Sequence, residues 1–258
     1  NQLLDLRKID NGRLKLTFRN SDLVAKIKDL CSYFDIISEE KKMRFSFDHE
    51  ADTMEAWIDP VYFDKIIMNL LSNAFKYTPN NGNIEISLHE KIKDNGQKIA
   101  EITVRDNGIG IKEEDLEHIF ERFFMGKENY DSVSSNGIGL HLTRSLVGLH
   151  HGTIVAKNNA DSPGVSFVVG LPLGREHFRD DETLIEEEEE ALIQNDETEY
   201  LVALETESVN NKTLSTKTLL IVDDDPEILN YLRTELSSDF HIETCNNGKD
   251  ALDLIFRK

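Results

Sequence analysis

Cysteine, tryptophan, proline and positive charge are all scarce in this chain. Its 258 residues hold two Cys, one Trp, five Pro and 29 Lys and Arg, against 49 Asp and Glu, for a net charge of −20. Two cysteines as distant as Cys31 and Cys245 do not make a disulfide framework and fit a reducing compartment. So acidic a surface repels phosphodiester backbones and anionic lipid, which argues against a general nucleic-acid or membrane-surface binder. Long apolar runs are missing too. The longest uncharged stretch, 162–174, is interrupted by Pro and Gly and is too short to span a bilayer. No basic region followed by an apolar run opens the sequence, so no secretory signal is expected and the chain reads as cytoplasmic. With 39% hydrophobic and 30% charged residues, it has the composition and length of a globular protein with a sizeable core.

The acidic excess is concentrated. Residues 176–217 carry 14 acidic and 3 basic residues, including an unbroken run of glutamates at 186–190. Like charges at adjacent positions resist collapse, so 175–217 reads as an acidic linker, with a short helix allowed around 182–194. Before it lie mixed α and β signals. Leu3, Leu6 and Ile9 stand at helical spacing, ending at Asn11-Gly12. Ser21 or Asp22 caps a helix expected to run to about Lys41, with Leu23, Ile27, Leu30 and Phe34 on one face. Strands are expected at 44–47 and 55–58, and Asp59-Pro60 opens a helix reaching about Tyr77. Alternation at Ile84, Ile86, Leu88 and at Ala100, Ile102, Val104 predicts two strands joined near Asp94-Asn95-Gly96. A helix from about Ile138 to His150 and strands at 153–156 and 166–169 complete a two-layer α/β sandwich. After the linker, strand 218–222, a helix from Pro226 to about Ser237, strand 240–244 and a helix from Gly248 read as the βαβα opening of a doubly wound sheet.

Four segments carry the chemistry. On the 60–77 helix, Asn69, Asn73, Lys76 and Tyr77 share a face opposite Phe63, Ile67, Leu70, Leu71 and Ala74. Asn is a poor interior helix residue, and two of them beside a Lys can hold a hydrated metal and phosphates; alone, the pattern also fits an exposed polar face. Asp106-Asn107-Gly108-Ile109-Gly110 ends a strand. Its carboxylate can accept from an exocyclic amine and its glycines admit a planar ring, although Asp-Asn-Gly is equally an ordinary turn. The aromatic cluster 119–124, followed by a polar stretch to Asn136, reads as a hinged lid or as an amphipathic helix and long loop. Gly137-Ile138-Gly139-Leu140 opens a helix, where N–H groups and the positive dipole end favour phosphate. No GxGxxG or GxxxxGK[ST] occurs, which excludes Rossmann and P-loop readings.

In this order and at this spacing, the segments resemble the N, G1, F and G2 boxes of the Bergerat-type (GHKL) ATP-binding domain of sensor histidine kinases. His151-Gly152-Thr153 and the 164–167 segment resemble the last glycine box and closing strand, with His151 where Gly often stands. The resemblance covers about residues 1–174 and implies ATP and Mg²⁺ as cofactors. It implies that Asn73 and Asn69 bind the metal and that Lys76 meets phosphate. It also implies that Tyr77 lies near adenine, that Asp106 bonds the adenine amine with Gly108 and Gly110 against the base, and that Gly137 and Gly139 hold the phosphate tail. Phe120, Lys127 and Leu140 join the nucleotide site on the same ground. Relatives that hydrolyse ATP place a Glu four residues before the metal-binding Asn. Here that place is held by Asn69, which is no general base near neutral pH, so transfer to a protein acceptor is favoured over hydrolysis.

Residues 1–20 resemble the end of a dimerisation hairpin whose phosphoacceptor His lies upstream. None of the eight histidines carries that acceptor's signature; His49-Glu50 comes closest but lies among expected strands. His141, His150 and His151 lack metal spacing and are expected on a helix surface. Residues 218–258 resemble the start of a response-regulator receiver domain, which makes the parent a hybrid kinase. By that resemblance Asp223 and Asp224 hold Mg²⁺, although an Asp-rich N-cap before Pro226 explains them as well. The phosphorylated Asp of a receiver follows a third strand that this segment does not reach. The resulting expectation is a piece of a hybrid sensor kinase: hairpin end (1–20), ATP-binding domain (21–174), linker (175–217) and incomplete receiver (218–258). It would partner the hairpin and receiver of a homodimeric parent, without direct nucleic-acid or membrane contact. The competing reading is a nucleotide-binding interaction module that regulates a partner without chemistry.

Overall fold

Ile84, Ile86 and Leu88 alternate with polar residues, as Ile102 and Val104 do, and all five side chains are fully buried on one face of a sheet. The structure, a computed structural model, describes residues 2–124, 137–179, 182–185, 218–224, 228–229, 232–233, 236–237 and 240–256. The chain divides into two compact units, 1–191 and 192–258. In the first, the elements run α1 (Gln2–Asp10), β1 (Thr17–Asp22), α2 (Leu23–Ser32), α3 (Asp35–Glu40), β2 (Arg44–His49), β3 (Glu55–Ile58), α4 (Pro60–Tyr77), β4 (Asn83–Ile92), β5 (Lys98–Asp106), α5 (Gly139–Leu149), β6 (Thr153–Asn158), β7 (Val165–Pro172) and β8 (Thr183–Ile185). A five-stranded mixed sheet has the order β2-β4-β5-β7-β6, with β2 and β4 parallel and the other neighbours antiparallel. Its inward residues share one core with Phe63, Ile67 and Leu71 of α4, Leu142 and Leu146 of α5 and Ile27 of α2. This is the expected two-layer α/β sandwich.

Helix α4 begins where Asp59-Pro60 predicted it. Asp59 Oδ1 accepts the N–H groups of Val61 and Tyr62 at 3.1 and 3.2 Å, and Pro60 sits where no N–H is needed. Asp59 Oδ2 accepts the Thr17 N–H at 2.8 Å, fixing β1 against the start of α4. Helix α1 is tied to α4 by a largely buried Asp5–Lys65 ion pair at 2.6 Å.

Four local expectations are corrected. The helix expected from 22 to about 41 is two helices. The Tyr33 and Phe34 N–H groups bond back three residues, to Leu30 and Cys31, while the Ser32 hydroxyl donates to the Asp29 carbonyl. That tightened turn ends α2 and lets Phe34 stack on Phe75 at 4.8 Å between ring centres. Strand β1 had no sequence signal, since Phe18 is its one fully buried apolar residue. Its partner β3 defines it, with Arg19 opposite Ile58 and Asp22 opposite Glu55. Thr183–Ile185, where the linker reading allowed a short helix, pairs in parallel with β1 instead. The segment leading to it is held by Phe178, 4.6 Å from Phe18, and by Glu182, whose Oε1 accepts from His151 Nε2 at 2.7 Å.

The fourth correction concerns the histidines. His150 is buried, not on the helix surface: its Nε2 accepts the Asp59 N–H at 3.1 Å, so Nδ1 carries the proton and donates to the Leu146 carbonyl at 2.8 Å. His151 and His141 are half-buried. His151 takes φ +57° just past α5 and donates its N–H to the Gly148 carbonyl, closing the helix as a glycine there would.

Burial holds the His150 pKa below the usual 6.5, against the Leu146 carbonyl and the Asp59 charge, which raise it. The unfolded chain therefore takes up this proton first as pH falls. The stability His150 contributes is present above pH 6.5 and is lost as pH drops through the lower folded value. Chemical unfolding at pH 7 and pH 5 should show a larger loss for the wild type than for His150→Gln. A difference between the two that does not change with pH would refute it.

In the second unit, β9 (Thr218–Val222) and β10 (His241–Cys245) pair in parallel from His241 opposite Thr218 to Cys245 opposite Val222, and α6 (Gly248–Phe256) follows. A parallel pair requires a crossover connection; of the helix expected from Pro226 to about Ser237, 228–229, 232–233 and 236 are helical and half of its residues lie outside the described ones.

Candidate functional site

The candidate residues come from two parts of the first unit, α4 with the start of α5 and the loop after β5. In the first, Asn69, Asn73, Lys76 and Tyr77 are partly exposed along α4 while Leu70, Leu71, Ala74 and Phe75 are buried. That polar face meets the start of α5. A Cβ on Gly139 would stand 2.5 Å from Asn69 Oδ1, so the Asn69 side chain would have to shift to admit one. Asn69 Nδ2 donates to Thr143 Oγ1 at 2.8 Å, one turn further along α5. The N-cap residue Ile138 has no side-chain hydrogen bond to the start of α5, where N–H groups and the positive dipole end favour an anion.

In the second, β5 delivers Asp106, 4% exposed, whose Oδ1 accepts the Gly108 N–H at 2.8 Å. Burial raises its carboxyl pKa, and the Gly108 and Val165 N–H groups oppose that rise. Space is tight around it. A Cβ on Gly108 would strike the Tyr77 carbonyl and lie 2.9 Å from Asp106 Oδ1. Gly110 and Gly164 adopt φ of +71° and +100°, and a Cβ on Gly164 would fall on the Asp106 carbonyl. Asn159 Nδ2 donates to that carbonyl at 2.7 Å, and Asn158 Oδ1 accepts the Ile111 N–H at 2.9 Å.

The aromatic cluster closes the floor. Ile119 and Phe120 are buried, and Phe120 meets Phe167 edge-on at 6.4 Å, with the Arg144 guanidinium 5.7 Å from its ring. His141 Nδ1 donates to the Phe120 carbonyl at 2.9 Å, joining α5 to this cluster. The Phe123 N–H donates to the Gly137 carbonyl at 2.9 Å, which brings together the two ends of segment 125–136. The expected lid and Lys127 fall within that segment, outside the described residues.

The structure thus joins Asn69 to Gly139, and Tyr77 and Asp106 to Gly108, and it sets Asn73, Lys76 and Leu140 on the same two helices. Sequence reading missed Thr143, Asn158 and Asn159. The Asn pair ending β6 was the available signal; Thr143 had none. In the second unit Asp223 is half-buried and its N–H donates to the Cys245 carbonyl at 3.1 Å, while Asp224 is exposed. Among the described residues no group of three or more His, Cys, Asp or Glu is placed to hold a metal. Nor, among them, is any helix long and apolar enough to cross a membrane.

Residues 58–175 match the family model of histidine kinase-, DNA gyrase B- and HSP90-like ATPases. Histidine kinase P4 of Formosa agariphila is 31% identical over 270 residues, which covers 98% of this chain and 19% of that protein. Sensor histidine kinase TmoS of Ectopseudomonas mendocina is 31% identical over 264 residues, covering 99% of this chain and 26% of that protein. Hybrid signal transduction histidine kinase D of Dictyostelium discoideum is 33% identical over 178 residues, 67% of this chain and 11% of that one. The chain therefore spans between 11% and 26% of these relatives' length. Among solved structures, the nucleotide-free catalytic domain of histidine kinase ThkA superposes with TM-score 0.53 at 25% identity, over 61% of this chain and 99% of that one. Full-length ShkA in complex with AMPPNP superposes with TM-score 0.56 at 15% identity, the match covering 98% of this chain and 46% of that one.

Proposed function

Because this chain carries the Bergerat-type ATPase catalytic domain of the sensor histidine kinases, we propose that it binds Mg-ATP between α4 and the 106–110 loop and passes the γ-phosphoryl to a histidine on a helix hairpin. The observation that carries the reading is the meeting of the α4 polar face with the glycine start of α5, where the Asn69 carboxamide lies against Gly139. Asp106 accepts the exocyclic amine of adenine, and Gly108 and Gly110 leave room for the ring beside Tyr77. Gly137 and Gly139 offer N–H groups to the phosphates, which Lys76 also meets. Asn73 and Asn69 hold Mg²⁺. Their carboxamide oxygens suit a hard cation that takes few protein ligands and completes its shell with phosphate oxygens and water. When bound, the metal neutralises charge developing on the transferred phosphoryl group. With Asn69 where a water-activating carboxylate would be needed, the site positions ATP for an external nucleophile rather than for water.

Residues 1–20 then serve as the connector from the hairpin, the part of 175–217 beyond β8 as an acidic spacer and 218–258 as receiver sequence, with Asp223 and Asp224 as its Mg²⁺ pair. The parent is proposed to be a homodimeric hybrid kinase.

Asn73→Ala should lower ATP affinity in saturating Mg²⁺ at least tenfold, a loss of about 1.4 kcal/mol, and leave metal-free binding little changed; calorimetry reads both. Labelled ATP supplied with a separate His-bearing hairpin should yield acid-labile, alkali-stable label on the hairpin. Tight Mg-ATP binding without any transfer would favour the non-catalytic interaction module.

A further inference from the structure

We infer that Thr143 is a positioning residue for the site: its hydroxyl takes the NH₂ end of the Asn69 carboxamide while the positive start of α5 favours the oxygen end, and the two together turn Oδ1 toward the metal and phosphates. This rests on the reading of Asn69 as a Mg²⁺-binding group. A carboxamide rotates about its last torsion between two broad, nearly equivalent wells that exchange O and NH₂. A divalent cation can use only the oxygen, so an unsteered Asn offers the wrong end part of the time. Gly139 and Thr143 lie four residues apart on one face of α5 and bracket the Asn69 amide. At one end Nδ2 donates to Thr143 Oγ1 at 2.8 Å. At the other, Oδ1 lies against Gly139, at the helix start proposed to receive the phosphates.

Thr143 suits the task in two further respects. It is 2% exposed, so solvent does not compete for its hydroxyl. As a β-branched helical residue it has few side-chain rotamers, which holds that hydroxyl in place. Packing alone does not require it, because valine has nearly the same shape and no polar atom to bury. The contact spans 74 positions of sequence and joins the two helices that line the site.

The test titrates Mg²⁺ into the whole chain at fixed ATP by calorimetry, alongside ATP binding in EDTA and thermal unfolding. Thr143→Val should raise the Mg²⁺ midpoint about fivefold, the weight of one ordinary hydrogen bond. ATP affinity in EDTA and the unfolding midpoint should stay near wild type. Thr143→Ser, which keeps the hydroxyl, should restore the Mg²⁺ midpoint. A wild-type midpoint in Thr143→Val overturns the inference, as does a loss of equal size with and without Mg²⁺, which marks a packing role. If Thr143→Val does not fold, Thr143→Ser decides: a Mg²⁺ defect with the hydroxyl still present overturns the inference. A wild-type chain that binds ATP equally with and without Mg²⁺ is a separate result. It removes the metal reading of Asn69 and this inference with it.

Discussion

Replacing Asp106 with Ala is expected to lower ATP affinity by about 10- to 100-fold, since a hydrogen bond to a charged group is worth about 1.5–3 kcal/mol, and to erase the preference for adenine over guanine. The carboxylate is almost wholly buried, and burial raises its pKa. The Gly108 and Val165 N–H groups offset part of the cost of keeping it charged. An ionised carboxylate has about four lone-pair sites, so it retains capacity for one more donor. Adenine presents an amine there, whereas guanine presents a carbonyl oxygen, which a carboxylate repels. The variant also leaves two backbone donors without this acceptor, so stability should drop by about 1–3 kcal/mol. Binding is therefore compared for ATP and GTP well below the unfolding midpoint. An unchanged ratio of the two affinities would remove Asp106 from base recognition, whatever happens to stability.

What the sequence makes legible here is local. Asp59-Pro60 and the apolar stripe of α4 define the start of that helix and about where it ends, because the N-cap, the proline and the 3.6 period all act within a few positions. The β4–β5 hairpin is legible for the same reason, with Gly96 at φ +82° in its turn. Contacts between distant segments are not. His150 looks like a surface residue until its partner, the Asp59 N–H, is brought from 91 positions away. Strand β1 has polar composition and exists because β3 pairs with it. The candidate site divides the same way. Asn69, Asn73, Asp106 and the glycines stand out as candidates by their combined order and spacing, since each segment alone also fits an exposed polar face or an ordinary turn. Thr143 and Asn159 do not, since each works by holding a group supplied from another part of the chain.

Gly164→Ala should be the most damaging small substitution in the first unit, and Gly148→Ala is its contrast. Gly148 lies in α5 with φ outside the left-handed region, and an added Cβ there meets nothing within 4 Å. Alanine at that position should stabilise the chain by about 0.5–1 kcal/mol, the ordinary gain in a helix. Gly164 sits at φ +100°, a region that side chains rarely adopt, and its added Cβ would fall on the Asp106 carbonyl and 2.7 Å from Asn107 Cα. The obstructing atoms are backbone, so no side-chain rotation relieves the overlap. Strain of this kind costs about 1–3 kcal/mol for the dihedral alone. Displacing 106–107 adds to it, because Asp106, Gly108 and the Asn159 bond to the Asp106 carbonyl move together. Chemical unfolding should therefore place Gly164→Ala at least about 3 kcal/mol below wild type, in the range that marks a specific structural cause. Any folded fraction should bind ATP weakly, because Asp106 no longer stands where the adenine amine would reach it. Wild-type stability and ATP affinity in Gly164→Ala would mean that the loop accommodates a side chain, and that the close approach of Gly164 to Asp106 is not needed for the site.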